Sequence, residues 1–151
     1  MSQGYRIGTA RHAMPLAAMG EAITRSSRFW LSAAAANGLI AVAMGAFAAH
    51  GLKDRLSADA LGWIKTASDY EMWHGLALLA IALLGREAIA GALRGAAIAF
   101  LIGIILFSGS LYLLALAGWR GFALITPLGG TALLIGWALL FWHGVAGKLR
   151  A

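Results

Sequence analysis

Two histidines and a glutamate in an otherwise apolar chain are the first residues whose types suggest chemistry. Glu71 and His74 are three residues apart, so a helix places them on one face. Together with His50 they form a two-histidine, one-carboxylate set, which is a ligand set for transition metals. A di-iron bundle needs a Glu-x-x-His pair from each of two helices and two further glutamates, and only one such pair is present. We therefore predict no metal site.

Two other ligands remain open at the same residues. Haem is one, because two histidines on neighbouring helices can ligate one iron, here His50 and His74. A quinone or lipid headgroup is the other, because it needs hydrogen-bond donors in an apolar slot. The candidate pocket consists of His50, Tyr70, Glu71, His74 and Tyr112. The favoured alternative is structural: these side chains bond to one another and to backbone carbonyls, and no cofactor is bound.

The common signatures of catalysis are missing from the sequence. It contains no recognisable nucleophilic triad and no paired carboxylates. Gly129-Gly130 follows a proline and lacks the strand–turn–helix context of a phosphate loop. The sequence shows neither the ring of charged residues that is typical of a channel nor the inverted repeat that is typical of a transporter. We therefore predict that the protein is not an enzyme.

Composition identifies the environment of these residues. Of 151 residues, 61% are hydrophobic and 12% are charged, and there is no cysteine. A typical soluble domain is about 25% charged. The chain therefore has too little polar surface for a soluble globule, and it is too apolar for disorder. The net charge of +6 comes mostly from residues at segment ends, which favours contact with membrane lipids over nucleic acid.

The apolar runs predict an all-α fold, an antiparallel bundle of four membrane-spanning helices in a domain covering residues 29–147. The spans are expected at about 29–49, 69–85, 95–117 and 122–143. The second is the weakest, because the charge-free stretch between Glu71 and Arg86 is too short by itself. A buried or re-entrant helix is the alternative there. Antiparallel threading is expected to bring His50, Tyr70 and His74 to similar depth, with Tyr112 rising toward the same side.

The segments outside the spans have their own signals. Residues 1–28 form a basic extension without the apolar core of a secretory signal, and residues 148–151 form a tail. In the first outer loop, Ser57 is suited to cap an interfacial helix that runs into the second span. Pro127 is tolerated best in a first helical turn, so the fourth helix is expected to begin beside it.

Lysine and arginine counts predict the orientation in the membrane. Eight lie on the side of the termini and of the second connection, and four lie on the other side. The more basic side faces the cytoplasm. We therefore expect both termini to be cytoplasmic. Trp30, Trp119 and Trp142 are expected to anchor at the interfaces.

Small residues recur every four positions in two spans and predict close helix packing. The first span carries Ala33, Asn37, Ala41, Gly45 and Ala49. The third carries Gly95, Ala99 and Gly103, with Gly91 before them. We expect these stripes to pack within the bundle, and packing against another chain is the alternative.

Four motifs in order resemble a known family. They are GAFAAHGL from Gly45, YEMWHGLALL from Tyr70, GIILFSGSLYLLAL from Gly103 and ITPLGG from Ile125. The chain resembles, over about residues 29–142, the YgdD-like inner-membrane proteins (domain-of-unknown-function family 423; eukaryotic relatives are called transmembrane protein 256). The resemblance implies a small four-helix protein of bacterial inner or mitochondrial membranes and no particular activity. Of these we expect the bacterial inner (cytoplasmic) membrane. Two departures are the N-terminal extension and Glu71, where the resemblance leads us to expect glutamine.

The function expected from these features is non-enzymatic. A small size, absent catalytic groups and small-residue stripes favour an accessory subunit that packs against a larger membrane complex, respiratory or otherwise energy-transducing. Its partners would be membrane lipids and other subunits of that complex. The alternative is a quinone- or lipid-binding protein that uses the histidine and tyrosine cluster.

Overall fold

The structure is a computed structural model that describes residues 16–85, 89 and 91–148. Within these ranges the chain forms helices and no β-strand. The long helices are α1 (Leu16–Ala46), α2 (Ala58–Leu84), α3 (Gly91–Ala117) and α4 (Thr126–Lys148). A π-helical turn over Phe47–Gly51 extends α1, and a 3-10 turn over Arg120–Leu124 precedes α4. The predicted all-α, four-helix class is confirmed.

Three helical segments are long and apolar enough to cross a membrane: Arg25–Gly51, Gly91–Ala117 and Arg120–Ala146. Helix α2 is equally long, with 27 residues, but its charged residues are concentrated in its first half. Those residues are Asp59, Lys65, Asp69 and Glu71. The expected weakness of the second span therefore reflects polar residues near one end of a long helix, and not a short helix.

Helix α1 begins well before the expected first span. It starts at Leu16 and continues without a break through residue 28, where the sequence suggested a boundary. Residues 1–15 and the tail from 149 lie outside the described residues. The Ser27 hydroxyl donates a hydrogen bond to the Gly85 carbonyl at 3.1 Å, so the early part of α1 is held against the end of α2.

The four helices pack in the order of the sequence. Helix α1 lies along α2, α2 along α3, and α3 along α4, while α1 and α4 share no extended contact. Each neighbouring pair is antiparallel, as the contact between Ser27 and Gly85 shows for the first pair. Helices α1 and α4 are therefore the two edges of the bundle, and between residues 25 and 146 most of their apolar side chains are exposed.

The core lies between α2 and α3. Its fully buried side chains include Ile64, Leu78 and Ile81 of α2 and Phe100 of α3. Trp30 of α1 joins this core at 6% exposure, so the expectation that it anchors at the interface is wrong. Trp30 lies on the face of α1 that contacts α2, and that contact outweighs the interfacial preference of an indole. Trp119 and Trp142 are exposed, at 66% and 60%.

The small residues of the first span lie only partly against α2. Asn37 and Ala41 are buried and Gly45 faces Ser68, whereas Ala33 is half-buried and Ala49 is exposed. A helix has 3.6 residues per turn, so a strict spacing of four drifts by about 40° around the axis with each step. The buried line instead follows the helical period, through Trp30, Ala34, Asn37, Ala41 and Ala48.

The small residues of the third span face α4. A Cβ atom added to Gly95 would lie 3.1 Å from the Leu139 side chain, and one added to Gly103 would overlap Leu133. Ala99, between them, is half-buried. Helix α4 also contributes glycines to this contact, and Gly136 packs against the Phe100 ring. These contacts bring α3 and α4 close together, as small residues do between membrane helices.

The loop between α1 and α2 ends in the helix cap that the sequence predicts. The Ser57 hydroxyl oxygen accepts a hydrogen bond from the Ala60 amide at 3.2 Å, so Ser57 is the N-cap of α2. The interfacial turns and the second span are one continuous helix. At the other connection, Pro127 is the second residue of α4, in the first turn where a proline costs least.

Candidate functional site

His74 is buried in the middle of the bundle, and both of its ring nitrogens have partners. Nδ1 lies 2.7 Å from the Tyr70 carbonyl oxygen, and Nε2 lies 3.1 Å from the Trp137 indole nitrogen. An indole N–H can only donate, so Nε2 must accept, and Nδ1 carries the proton that the carbonyl accepts. The ring is therefore the neutral Nδ1–H tautomer. It has no nitrogen free for a metal, a haem iron or a substrate proton.

Glu71 lies one turn before His74 and bonds to a different helix. The Tyr112 hydroxyl of α3 donates to Glu71 Oε2 at 2.8 Å, and the Glu71 side chain is only 4% exposed. The tyrosine is long enough to reach back toward the N-terminus of α3, the direction in which helical side chains lean. Glu71 and Tyr112 therefore link α2 to α3.

We predict that Tyr112→Phe lowers the stability of the folded protein by about 1–2 kcal/mol, because it leaves the buried carboxyl group of Glu71 without its donor. Glu71→Gln should change stability by less than about 0.5 kcal/mol, because the amide oxygen still accepts from Tyr112. Unfolding by SDS titration in mixed micelles, followed by circular dichroism, measures both. Equal losses for the two variants would contradict the link.

Two serines of α3 complete the polar contacts between helices. Ser108 is 1% exposed and its hydroxyl donates to the Ala67 carbonyl of α2 at 2.9 Å. The Ser110 hydroxyl lies 2.8 Å from the Thr126 hydroxyl at the start of α4. Both serines therefore hold neighbouring helices together, which is the usual role of serine at a membrane helix interface.

His50 lies apart from the other predicted site residues. It is exposed in the π-helical turn after α1. Along the α1–α2 interface Gly45 faces Ser68, and the α1 residues around Asn37 and Gly38 face Gly75. His50 is therefore displaced from the level of His74 by about 12 residues, or about 18 Å of helix rise. Neither the three-residue ligand set nor a haem-ligating histidine pair is brought together.

His50 and His74 do not lie at the common depth that the sequence predicts, because α2 begins earlier than the predicted second span. Its first residue is Ala58, so about three turns of helix precede Tyr70. The residues of α2 at the level of His50 are those near Trp63. Among the residues that the structure describes, no group of three or more histidines, cysteines or acids is positioned to hold a metal ion.

Tyr70 and His74 border an open groove of about 560 Å³ between α2 and α4. This volume falls in the range of small-molecule sites. The Tyr70 ring stacks on Phe107 at 4.6 Å and on His74 at 5.8 Å. The groove is lined by Tyr70, Trp73, His74, Phe107, Pro127, Gly130, Thr131, Leu133, Leu134 and Trp137.

The groove offers an aromatic surface with few polar groups. The Thr131 hydroxyl donates to the Pro127 carbonyl at 2.9 Å. The Tyr70 hydroxyl makes no hydrogen bond to the part of the chain described here.

The sequence did not predict that Phe107 and Trp137 belong to this groove, because the rotation of their helices relative to α2 was unknown. Their aromatic character was the only available signal.

Comparisons with known proteins place the chain in a family. Residues 44–130 match the family model described as "Protein of unknown function (DUF423)". The "UPF0382 inner membrane protein YgdD" of Escherichia coli strain K12 is 44% identical over 115 residues, covering 76% of this chain and 88% of that protein. A "UPF0382 membrane protein" of Haemophilus influenzae is 46% identical over 125 residues, covering 79% and 95%.

A further "UPF0382 membrane protein", from Staphylococcus epidermidis, is 46% identical over 107 residues, covering 70% of this chain and 86% of the relative. No solved structure matches the chain. The family match includes Tyr70, Glu71, His74 and Tyr112, and most of each relative is covered. The chain is therefore a small helical membrane protein that belongs to the DUF423 family.

Proposed function

We propose that the protein is a non-enzymatic accessory subunit that packs beside a larger membrane complex of the respiratory or energy-transducing kind. The observation that carries the proposal is the outward face of α1, a line of mostly small residues that no other helix of the described part of the chain covers. The face consists of Ser32, Ala36, Leu39, Ala43 and Ala46, all of them exposed.

The residues of this outward face are spaced like those of a helix–helix contact. Its positions alternate by four and three residues, the spacing of a seam that faces one partner helix. It lies on the side of α1 opposite to Ala34, Asn37 and Ala41, which contact α2. Small residues let helix backbones approach closely in a membrane, where contact with lipid alone does not require them. We therefore assign a transmembrane helix of another subunit to this face.

The polar cluster supports a role without catalysis. His74 and Glu71 are engaged by Trp137 and Tyr112, and Ser108 is engaged by a backbone carbonyl. Groups committed to holding helices together are poorly placed to bind or transform a substrate. The lysine and arginine counts support cytoplasmic termini, and the name of the Escherichia coli relative, an inner membrane protein, supports an inner membrane.

Gentle detergent extraction, native-gel sizing and mass spectrometry test the proposal. We expect the wild-type protein to co-migrate stoichiometrically with a larger membrane complex. Ala36→Leu combined with Ala43→Leu should abolish this co-migration while the protein still folds. Ala138→Leu, an exposed alanine of α4, is the matched control and should co-migrate like wild type. Migration of the wild-type protein alone would refute the proposal.

A second candidate function is favoured by the groove between α2 and α4. Its aromatic lining and the Tyr70 hydroxyl suit a quinone or another lipid with an apolar ring. If a quinone oxygen accepts from this hydroxyl, Tyr70→Phe should weaken binding by about five- to tenfold, the loss of one hydrogen bond. Organic extraction of the purified protein followed by mass spectrometry measures the bound quinone. Equal amounts bound to wild type and Tyr70→Phe would exclude this contact.

A further inference from the structure

A second groove, of about 510 Å³, lies between the end of α1 and the first turns of α2. Gly45 and Ala49 lie on its α1 side, Lys65 and Asp69 on its α2 side, and Lys53 in the loop between them. We propose that this groove binds an anionic membrane phospholipid, with the phosphodiester at the two lysines and an acyl chain along the small residues. The site is separate from the aromatic groove and from the outward face of α1.

The shape of the groove suits an acyl chain because its α1 side carries almost no side-chain bulk. Gly45 lacks a side chain, and a Cβ atom added there would make only an ordinary contact, 3.7 Å from the Ser68 hydroxyl oxygen. Ala48 and Ala49 follow along the same side. A slot lined by glycine and alanine admits a flexible hydrocarbon chain that branched side chains would exclude.

The charges of the groove favour an anion. Lys65 forms an exposed ion pair with Asp69, with 2.6 Å between Nζ and Oδ2. Lys53 has no acidic partner within the described ranges. Two ammonium groups and one carboxylate leave a net charge of +1, which complements the single negative charge of a phosphodiester. Exposed ion pairs such as Lys65–Asp69 are weak, so Lys65 can also turn toward a phosphate.

The position of Lys53 matches the depth of a lipid headgroup. The first apolar segment ends at Gly51, two residues before it. Leu52 is 8% exposed and packs into a small core with Ile64, which fixes the start of the loop. The lysine therefore follows directly from the end of a membrane segment, where basic side chains meet phosphates.

Lipid retention by native mass spectrometry tests the proposal. The full chain, purified in detergent, is titrated with phosphatidylglycerol or with phosphatidylcholine of the same acyl chains. We expect wild type to retain phosphatidylglycerol preferentially. Lys53→Gln combined with Lys65→Gln should lower that retention about tenfold. Ala49→Leu, which fills the slot without changing charge, should lower the retention of both lipids.

Arg55→Gln is the matched control, because Arg55 is an exposed basic residue of the same loop that does not line the groove. It should retain phosphatidylglycerol within about twofold of wild type. Circular dichroism and thermal unfolding establish that each variant is folded. An equal loss in Arg55→Gln and in Lys53→Gln alone, which each remove one positive charge, would overturn the site, because net charge alone would then explain binding. Equal retention of the two lipids by wild type would also overturn it.

Discussion

Gly129→Ala is expected to destabilise the folded protein by about 3 kcal/mol, at the upper end of the usual cost of overpacking. A Cβ atom at Gly129 would lie 2.7 Å from the Phe107 Cα atom and 2.8 Å from the Leu106 carbonyl carbon. These are backbone atoms of α3, which cannot turn away as the end of a flexible side chain can. The two helices would therefore have to separate along their contact, which also includes Gly103 and Gly136.

Gly130→Ala is the matched control for this prediction. A Cβ atom at Gly130 would lie 3.7 Å from the Phe107 ring, which is ordinary van der Waals contact. Both substitutions replace glycine by alanine in the first turns of α4, so their effects on helix propensity are similar. Unfolding by SDS titration should place the stability of Gly130→Ala at the wild-type value or up to about 1 kcal/mol above it. Similar losses for the two variants would show that α3 and α4 are not in backbone contact at Gly129.

His74→Ala is the second variant with a large expected effect, a loss of about 3 kcal/mol of stability. It removes a 5% exposed ring that contacts Phe100 and Tyr70, and it leaves the Trp137 indole N–H without its acceptor. Cavity formation and the loss of the hydrogen bond between the Trp137 indole N–H and His74 each contribute to this loss. Trp137→Phe, which removes the donor and part of the ring but leaves His74 in place, should cost about 1 kcal/mol.

His50→Ala provides the comparison within the same residue type. His50 is exposed beyond the end of α1, so its removal should change stability by less than about 0.5 kcal/mol. Thermal unfolding in detergent, with both variants in the same micelle, measures the difference. A His74→Ala protein that unfolds at the wild-type temperature would contradict a structural role for His74.

The two histidines show how local signals and tertiary position differ. Each histidine precedes a glycine in a motif near a predicted helix end. Nothing in the sequence indicated that the two histidines lie at different levels of the bundle. The structure places His74 in the core and His50 at the surface. The difference comes from the length of α2, which starts at Ala58 and carries His74 several turns below the level of His50.

The sequence by itself determined the fold class of this protein and its four long helices, but not the residue at which α1 begins or the length of α2. A charge content of 12% and long charge-free runs predict membrane helices, because burying a charge in hydrocarbon is costly. The N-cap at Ser57 and the start of α4 beside Pro127 were also readable, because capping and proline geometry depend only on neighbouring residues. The motifs around His50, His74 and Tyr112 further identified the family.

Only the tertiary structure decided which side chains meet. Trp30 packs into the core, the Trp137 indole donates a hydrogen bond to His74, and Gly129 contacts the backbone of α3. None of these contacts follows from spacing along one helix. A rotation of a helix by a few tens of degrees, or a shift by one turn, exchanges the residues at an interface while leaving every local signal unchanged. Helix rotation and register are set by packing between segments distant in sequence, and a single sequence does not record that packing.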